Sequence, residues 1–99
     1  MKIEHENLDT TGRFYIKGEG EVLAEMDYKM QDKNILLITH TEVSESLAGK
    51  GVGKQLVGAG VEYAREKSLK VKSVCSFAKA ILDKPSEFAD VYNAAENKS

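Results

Sequence analysis

The spacing of apolar residues along this chain changes character near its middle. Before position 45 it follows a strand rhythm. Ile3 to Glu6 is a strand candidate, and the polar run Asn7 to Gly12, ending in glycine, reads as a turn. Arg13-Phe14-Tyr15-Ile16-Lys17 is rich in aromatic and branched residues and predicts a strand. Gly18 to Glu21 is a hairpin connection. From Val22 to Met30 the apolar residues Val22, Ala24, Met26, Tyr28 and Met30 share one face of an extended chain. Gln31 to Asn34 is the next turn. Ile35 to Val43 opens with four apolar residues in a row, the mark of a central strand buried on both faces. This half predicts an antiparallel meander.

Beyond position 45 the rhythm is helical. Val52, Leu56, Val57, Gly60, Val61 and Ala64 recur at spacings of three and four, which predicts a helix to about Lys67 with one face on the sheet. Gly58 and Gly60 cost that helix about 1 kcal/mol each against alanine. Close packing on the sheet, or close approach of a ligand, would justify them. Lys70 to Val74 predicts a short strand parallel to Ile35 to Val43, joined through the helix by a right-handed crossover. Ser76 to Asp83 predicts a second helix. Pro85 would start a short third one carrying Glu87, Phe88, Val91 and Tyr92, and residues 93–99 read as a fraying tail. The fold class is α/β: a meander, then strand, helix, strand, helix.

Ninety-nine residues make one compact domain, here taken as 1–99. A net charge of −2 gives no basic field for nucleic acid or anionic lipid. No apolar run approaches the roughly 20 residues that span a bilayer. The charged N-terminus lacks the apolar stretch of a signal peptide, so the expected location is the cytoplasm. The one cysteine excludes an internal disulfide and offers no metal cluster. A monomer or weak dimer is expected.

The chemistry centres on Ser46-Leu47-Ala48-Gly49-Lys50-Gly51-Val52-Gly53-Lys54, between the central strand and the helix. Strand, glycine-rich turn and helix together suit an anion, because the first helical amides lack partners and carry the positive end of the helix dipole. Two common phosphate loops do not fit. Aligning the P-loop Gly-Lys on Gly53-Lys54 puts Ala48 at the first glycine and Gln55 at the hydroxyl position. The dinucleotide fingerprint fits Gly49 and Gly51 but meets Lys54 at its third glycine.

Three residues could carry reaction chemistry. Cys75 falls where the short strand ends and the next helix begins, a place that favours a thiolate. The plainer reading is a small buried hydrophobe. His40 and Glu42 share one face of the central strand, and either could take a proton from an ammonium group. Their plainer reading is a hydrogen-bonded polar pair. His5 reads as a surface residue.

Gly51 and Gly53 match the small positions of Gln/Arg-x-x-Gly-x-Gly/Ala, the pyrophosphate loop of the GNAT superfamily of acetyltransferases, with Ala48 in place of the Gln/Arg. His40-Thr41-Glu42-Val43, the loop, Tyr63-Ala64-Arg65-Glu66, Leu69-Lys70-Val71 and Cys75-Ser76-Phe77 together resemble the small, truncated GNAT-like proteins of the YjdJ type. The resemblance covers Ile35 to Tyr92. It implies that acetyl-CoA or coenzyme A binds, with its pyrophosphate on the loop, involving Gly49, Lys50, Gly51, Val52, Gly53 and Lys54. It implies a pantetheine arm paired with the strand end at Thr41 and Val43, and a thioester near Cys75. The implied reaction moves acetyl to a primary amine of a small molecule or protein, with Cys75, His40 and Glu42 as catalytic candidates. Where many GNAT enzymes place a general-acid tyrosine, the helix has Ile81 and Leu82. Ala48 and the missing tyrosine suggest the alternative of a coenzyme-A-binding module without turnover, and a plain interaction domain is a third reading.

Overall fold

A computed structural model describes residues 2–84 and 86–92. The expected helix start at Pro85 and the expected tail over 93–99 lie outside the described residues. Five strands form one sheet in chain order: β1 (Glu4–Asn7), β2 (Thr11–Lys17), β3 (Val22–Gln31), β4 (Ile35–Val43) and β5 (Lys70–Ser73). The first four pair antiparallel and β5 runs parallel to β4. Helix α1 (Val52–Lys67) is the crossover between β4 and β5, and α2 (Ser76–Asp83) follows β5. The class and order of elements are those expected from the sequence.

Alternation puts Phe14 and Ile16, Ala24, Met26 and Tyr28, Leu36 and Ile38, and Val71 on one face of the sheet, all buried. Onto this face packs the α1 stripe of Val52, Leu56, Val57, Val61 and Ala64. Burying a side chain such as Leu56 contributes about 1.5–3 kcal/mol. Ala78 and Leu82 of α2 join the same core, with Phe88, Val91 and Tyr92. The other face carries Arg13, Tyr15, Glu25 and Asp27, and among the described residues no helix covers it.

Glycines explain two departures from the expected boundaries and packing. Gly12 is not a turn residue: β2 begins at Thr11, and the space of a side chain at position 12 is filled by Tyr28. Of Gly58 and Gly60, Gly60 packs closely on the sheet, since a Cβ there would lie 2.7 Å from Met26 Cε. An added Cβ at Gly58 meets nothing within 4 Å, so that glycine has no packing role on the sheet.

One irregularity in β4 fixes the layout of the site. Asp27 pairs with His40 but Tyr28 pairs with Ile38, which leaves Thr39 as an extra residue. A bulge of this kind shifts the alternation by one. Beyond it Thr41 and Val43 stand opposite Met26 and Ala24, on the helix face. His40 and Glu42 stand opposite Asp27 and Glu25, on the uncovered face.

Candidate active site

The loop between β4 and α1 is shaped by its own backbone. A short 3-10 turn spans Glu45–Leu47, and the Ser46 amide donates to Ser44 Oγ at 3.3 Å. The amides of Ala48 and Lys50 donate to Glu45 O at 3.1 Å and Leu47 O at 3.3 Å. These two N–H groups are spent in folding the loop. Gly49 at φ 77° and Gly51 at φ 71° are left-handed, a conformation that costs an ordinary L-residue about 1–2 kcal/mol. Gly51 is the N-cap of α1. The first helical bond runs from Gln55 N–H to Gly51 O at 3.1 Å, so the amides of Val52, Gly53 and Lys54 precede it. Above Gly49 and Gly51 the space is open, because an added Cβ meets nothing within 4 Å. Lys50 and Lys54 are exposed beside this space.

Gly53 answers to a different demand. A Cβ on it would collide with Cε2 and Cζ of Phe77, whose ring stands over the first turn of α1. Its missing side chain makes room for protein, not for ligand. In the sequence Phe77 stands out only as part of the Cys75-Ser76-Phe77 resemblance. The contact between positions 53 and 77 is long-range and has no local signal. From Gly51 and Lys54 a groove of about 520 Å³ runs along the exposed side of α1, past Gly58 to Arg65. Arg65 is held there by a two-pronged bond to Asp90, at 2.7 and 2.9 Å.

The end of the site expected to hold the thioester lies where β4 and β5 part. Their pairing stops at Ile38 with Ser73, closed by Val74 N–H to Ile38 O at 3.0 Å. From Thr39 to Val43, among the described residues, no strand pairs with β4 on that side. Cys75 sits at this opening, as the N-cap of α2. Its Sγ lies 3.6 Å from Thr41 Oγ1. Buried Ser73 fixes the backbone there, its Oγ accepting from Cys75 N–H at 3.1 Å and donating to Cys75 O at 2.8 Å. Burial pushes the Cys75 thiol up, but bonds from the Ala78 amide, the Thr41 hydroxyl, the Phe77 amide and Thr41 backbone outweigh it, and the net shift is downward. The thiol is therefore more acidic than an ordinary cysteine.

The three residues expected to be catalytic are not brought into one contact set. Cys75 meets Thr41 on the helix face. His40 Nε2 and Glu42 Oε1 are 3.5 Å apart on the uncovered face, with side chains 58% and 75% exposed. Around them lie Asp27 and Glu25. The hydrogen bond with Asp27, followed by burial and the Asp27 charge, raises the Glu25 carboxyl above its usual range. The alternation of an unbulged strand would not have separated the thiol from this pair.

The tyrosines are committed elsewhere. Tyr92 Oη donates to Asp83 Oδ1 at 2.7 Å, and burial with that bond pushes it up to about 12. Tyr63 belongs to an aromatic cluster with His5, Phe14 and Tyr28. His5 keeps an exposed edge, as expected, but its ring stacks on Phe14 at 4.1 Å and bonds Tyr28 Oη at 2.6 Å. Among the described residues no group of three or more His, Cys, Asp or Glu could hold a metal ion, and no helix is long and apolar enough to cross a membrane.

Comparison with known proteins follows the same lines. Among curated protein sequences none matches this chain. A GCN5-like N-acetyltransferase candidate from Staphylococcus aureus, solved in solution by NMR, is 45% identical, with a TM-score of 0.73 over 91% of this chain and 87% of that one. An IAA acetyltransferase from Bacillus cereus is 25% identical, with a TM-score of 0.54 over 63% of this chain but 42% of its own length. The aminoglycoside N-acetyltransferase AAC(6')-Iy, solved in complex with CoA, shares the fold at 14% identity, with a TM-score of 0.59 over 75% of this chain and 77% of that one. A model of the GCN5-related N-acetyl-transferase family matches residues 13–91. A match over most of the chain, on a fold with the expected loop and strand opening, decides the family: this chain belongs to the GCN5-related N-acetyltransferases.

Proposed function

We propose that the protein is an N-acetyltransferase that takes acetyl from acetyl-CoA and gives it to a primary amine, within the small, truncated YjdJ-type branch of its family. The observation that carries the reading is the open edge of β4 with the Cys75 thiol against Thr41. An extended arm bearing amides finds unpaired strand backbone there, and a nucleophile at its end. The coenzyme fits the residues present. Val52, Gly53 and Lys54 offer partnerless amides, Gly49 and Gly51 hold the loop open, and Lys50 and Lys54 add positive charge. The groove along α1 takes the nucleotide end. A protein of the same fold was solved with CoA, which supports the choice of ligand.

Acetyl-CoA supplies an acetyl group activated as a thioester. The Cys75 thiolate, held by the Phe77 and Ala78 amides, attacks the acetyl carbonyl, and the electron pair of the broken bond leaves with the coenzyme sulfur. The acceptor amine then takes acetyl from the Cys75 sulfur, which regains its thiolate. The amine proton leaves to water, and His40 or Glu42 serves as base only by way of solvent, because the pair stands across β4 from the thiol. The reading puts the protein in the cytoplasm, where thiols stay reduced. It acts as a monomer or weak dimer and needs neither nucleic acid nor membrane.

A second reading, coenzyme binding without turnover, draws support from one observation: the thiol and the His40–Glu42 pair lie on opposite faces of β4. Incubation with acetyl-CoA and no acceptor separates the two. The first expects one acetyl mass on the protein, labile to hydroxylamine and absent in Cys75→Ala. Transfer to an amine panel at full rate in Cys75→Ala would instead make direct attack the mechanism. No adduct and no transfer would leave the binding module.

A further inference from the structure

Ser73 breaks the pattern of its strand. In β5 Lys70 is exposed and Lys72 half-buried, while Val71 and Ser73 face the core, and Ser73 is 3% exposed. Alternation calls for an apolar residue at position 73. A buried hydroxyl costs free energy unless it is bonded. The Ser73 hydroxyl bonds the residue two places on: it accepts from Cys75 N–H at 3.1 Å and donates to Cys75 O at 2.8 Å. Cys75 O also accepts the Lys79 amide at 3.0 Å, which opens the helical ladder of α2. Cys75 is thereby held in the extended conformation of an N-cap, at φ −84° and ψ 118°. A residue so placed turns its side chain towards the second and third amides of the helix, here those of Phe77 and Ala78. The neutral sulfur makes no side-chain cap bond of ordinary geometry. A thiolate accepts far more strongly than a thiol, so these amides act mainly on the ionised form.

We propose that Ser73 is a positioning residue for the thiol: its hydroxyl holds Cys75 in the conformation that aims the ionised sulfur at the Phe77 and Ala78 amides and at the Thr41 hydroxyl. This rests on the reading of Cys75 as the nucleophile that takes acetyl. The Thr41 hydroxyl lies 3.6 Å from the sulfur. Burial works against the anion, and the Ala78 amide, the Thr41 hydroxyl and the Phe77 amide work for it. Charged side chains on the adjoining elements are turned elsewhere. His40 and Glu42 stand across β4, Lys70 and Lys72 alternate away from the core, and Lys79 of α2 is tied to Asp83 at 3.0 Å. The anion therefore depends on dipoles, and a dipole stabilises charge only when it points at it. The backbone clamp by Ser73 sets that direction.

The chain has one cysteine, so iodoacetamide labelling followed against pH, without coenzyme, reports this thiol alone. Ser73→Thr and Ser73→Val give side chains of the same branched shape, and only Thr keeps the hydroxyl, so any packing cost falls on both alike. The labelling midpoint of Ser73→Thr should stay near wild type. That of Ser73→Val should move up, so that at a fixed pH below the midpoint the thiolate fraction falls about threefold to tenfold. Ser73→Ala loses the hydroxyl without added bulk and should show the same rise, with thermal melts confirming that each variant is folded. With saturating acetyl-CoA below the midpoint, the acetyl adduct should form more slowly in Ser73→Val than in Ser73→Thr by about the same factor. Equal midpoints for Ser73→Thr and Ser73→Val, or a wild-type midpoint in folded Ser73→Ala, overturn the proposal alone. Wild type that takes no acetyl from acetyl-CoA overturns the nucleophile reading and the proposal with it.

Discussion

Gly51 offers a test in which stability and affinity must account for one another. It caps α1 at φ 71° and ψ 18°, and an added Cβ meets nothing within 4 Å. A side chain there suffers no collision, so its whole cost is conformational. That cost is about 1–2 kcal/mol for Ala. Asn should cost less, because its short polar side chain tolerates the left-handed region. Val should cost more, because a branched residue at positive φ is a true outlier. The strain can surface in two ways. If the loop keeps its shape, the folded state bears the strain and the protein melts about 4–8 °C lower per kcal/mol. If the loop relaxes, stability is spared but the ligand must restore the loop, and acetyl-CoA affinity falls by about 5–30-fold for 1–2 kcal/mol. Thermal melts and calorimetry on Gly51→Asn, Gly51→Ala and Gly51→Val should therefore give two losses whose sum grows in that order. Gly51→Val with wild-type melting and wild-type affinity would refute the reasoning, since the left-handed cap would then carry no constraint.

Other expectations are independent of that loop. Gly58→Ala should stabilise the protein by about 1 kcal/mol, through helix propensity alone. Gly60→Ala should destabilise it despite the same gain, because its Cβ would lie 2.7 Å from fully buried Met26; urea unfolding checks both. His5 has its folded pKa lowered by burial, so the unfolded chain holds more protons just below the ordinary value of 6.5. Stability should be complete above that value and decline as pH falls through it towards the folded pKa. Urea midpoints across that window, flat in His5→Phe, are the check. Thr41→Val removes a hydroxyl 3.6 Å from the Cys75 sulfur. The pH at which iodoacetamide begins to alkylate Cys75 should rise in that variant, measured with the coenzyme absent.

Much of the architecture was legible because the periodicities are clean. The alternation from Val22 to Met30 and the α1 stripe from Val52 to Ala64 each name a buried face, and those faces are the two sides of one core. The loop was legible because its signal is local: strand, glycines, helix. Three features were not, each for a physical reason. The bulge at Thr39 leaves no mark in composition, yet it turns His40 and Glu42 away from Cys75. Gly12 looks like a turn because glycine is ambiguous until the ring of Tyr28 is seen to occupy its side-chain space. Gly53 looks like one more loop glycine for the same reason, and its partner Phe77 is brought to it only by the packing of α2 on α1. The apolar run at Ile35 to Ile38 marks an interior strand correctly, although one face of the sheet carries no helix among the described residues.

The most direct test of the central claim is where acetyl-CoA touches the protein. Backbone amide resonances of the uniformly labelled chain can be followed as acetyl-CoA is added. The account expects the largest shifts in two separated stretches that one ligand spans: Gly49 to Lys54, at the loop and first turn of α1, and Thr41 to Val43 with Cys75 to Phe77, at the opening between β4 and β5. Saturating acetyl-CoA that moves neither stretch, or shifts confined to the uncovered sheet face around Arg13 and Glu25, would contradict it.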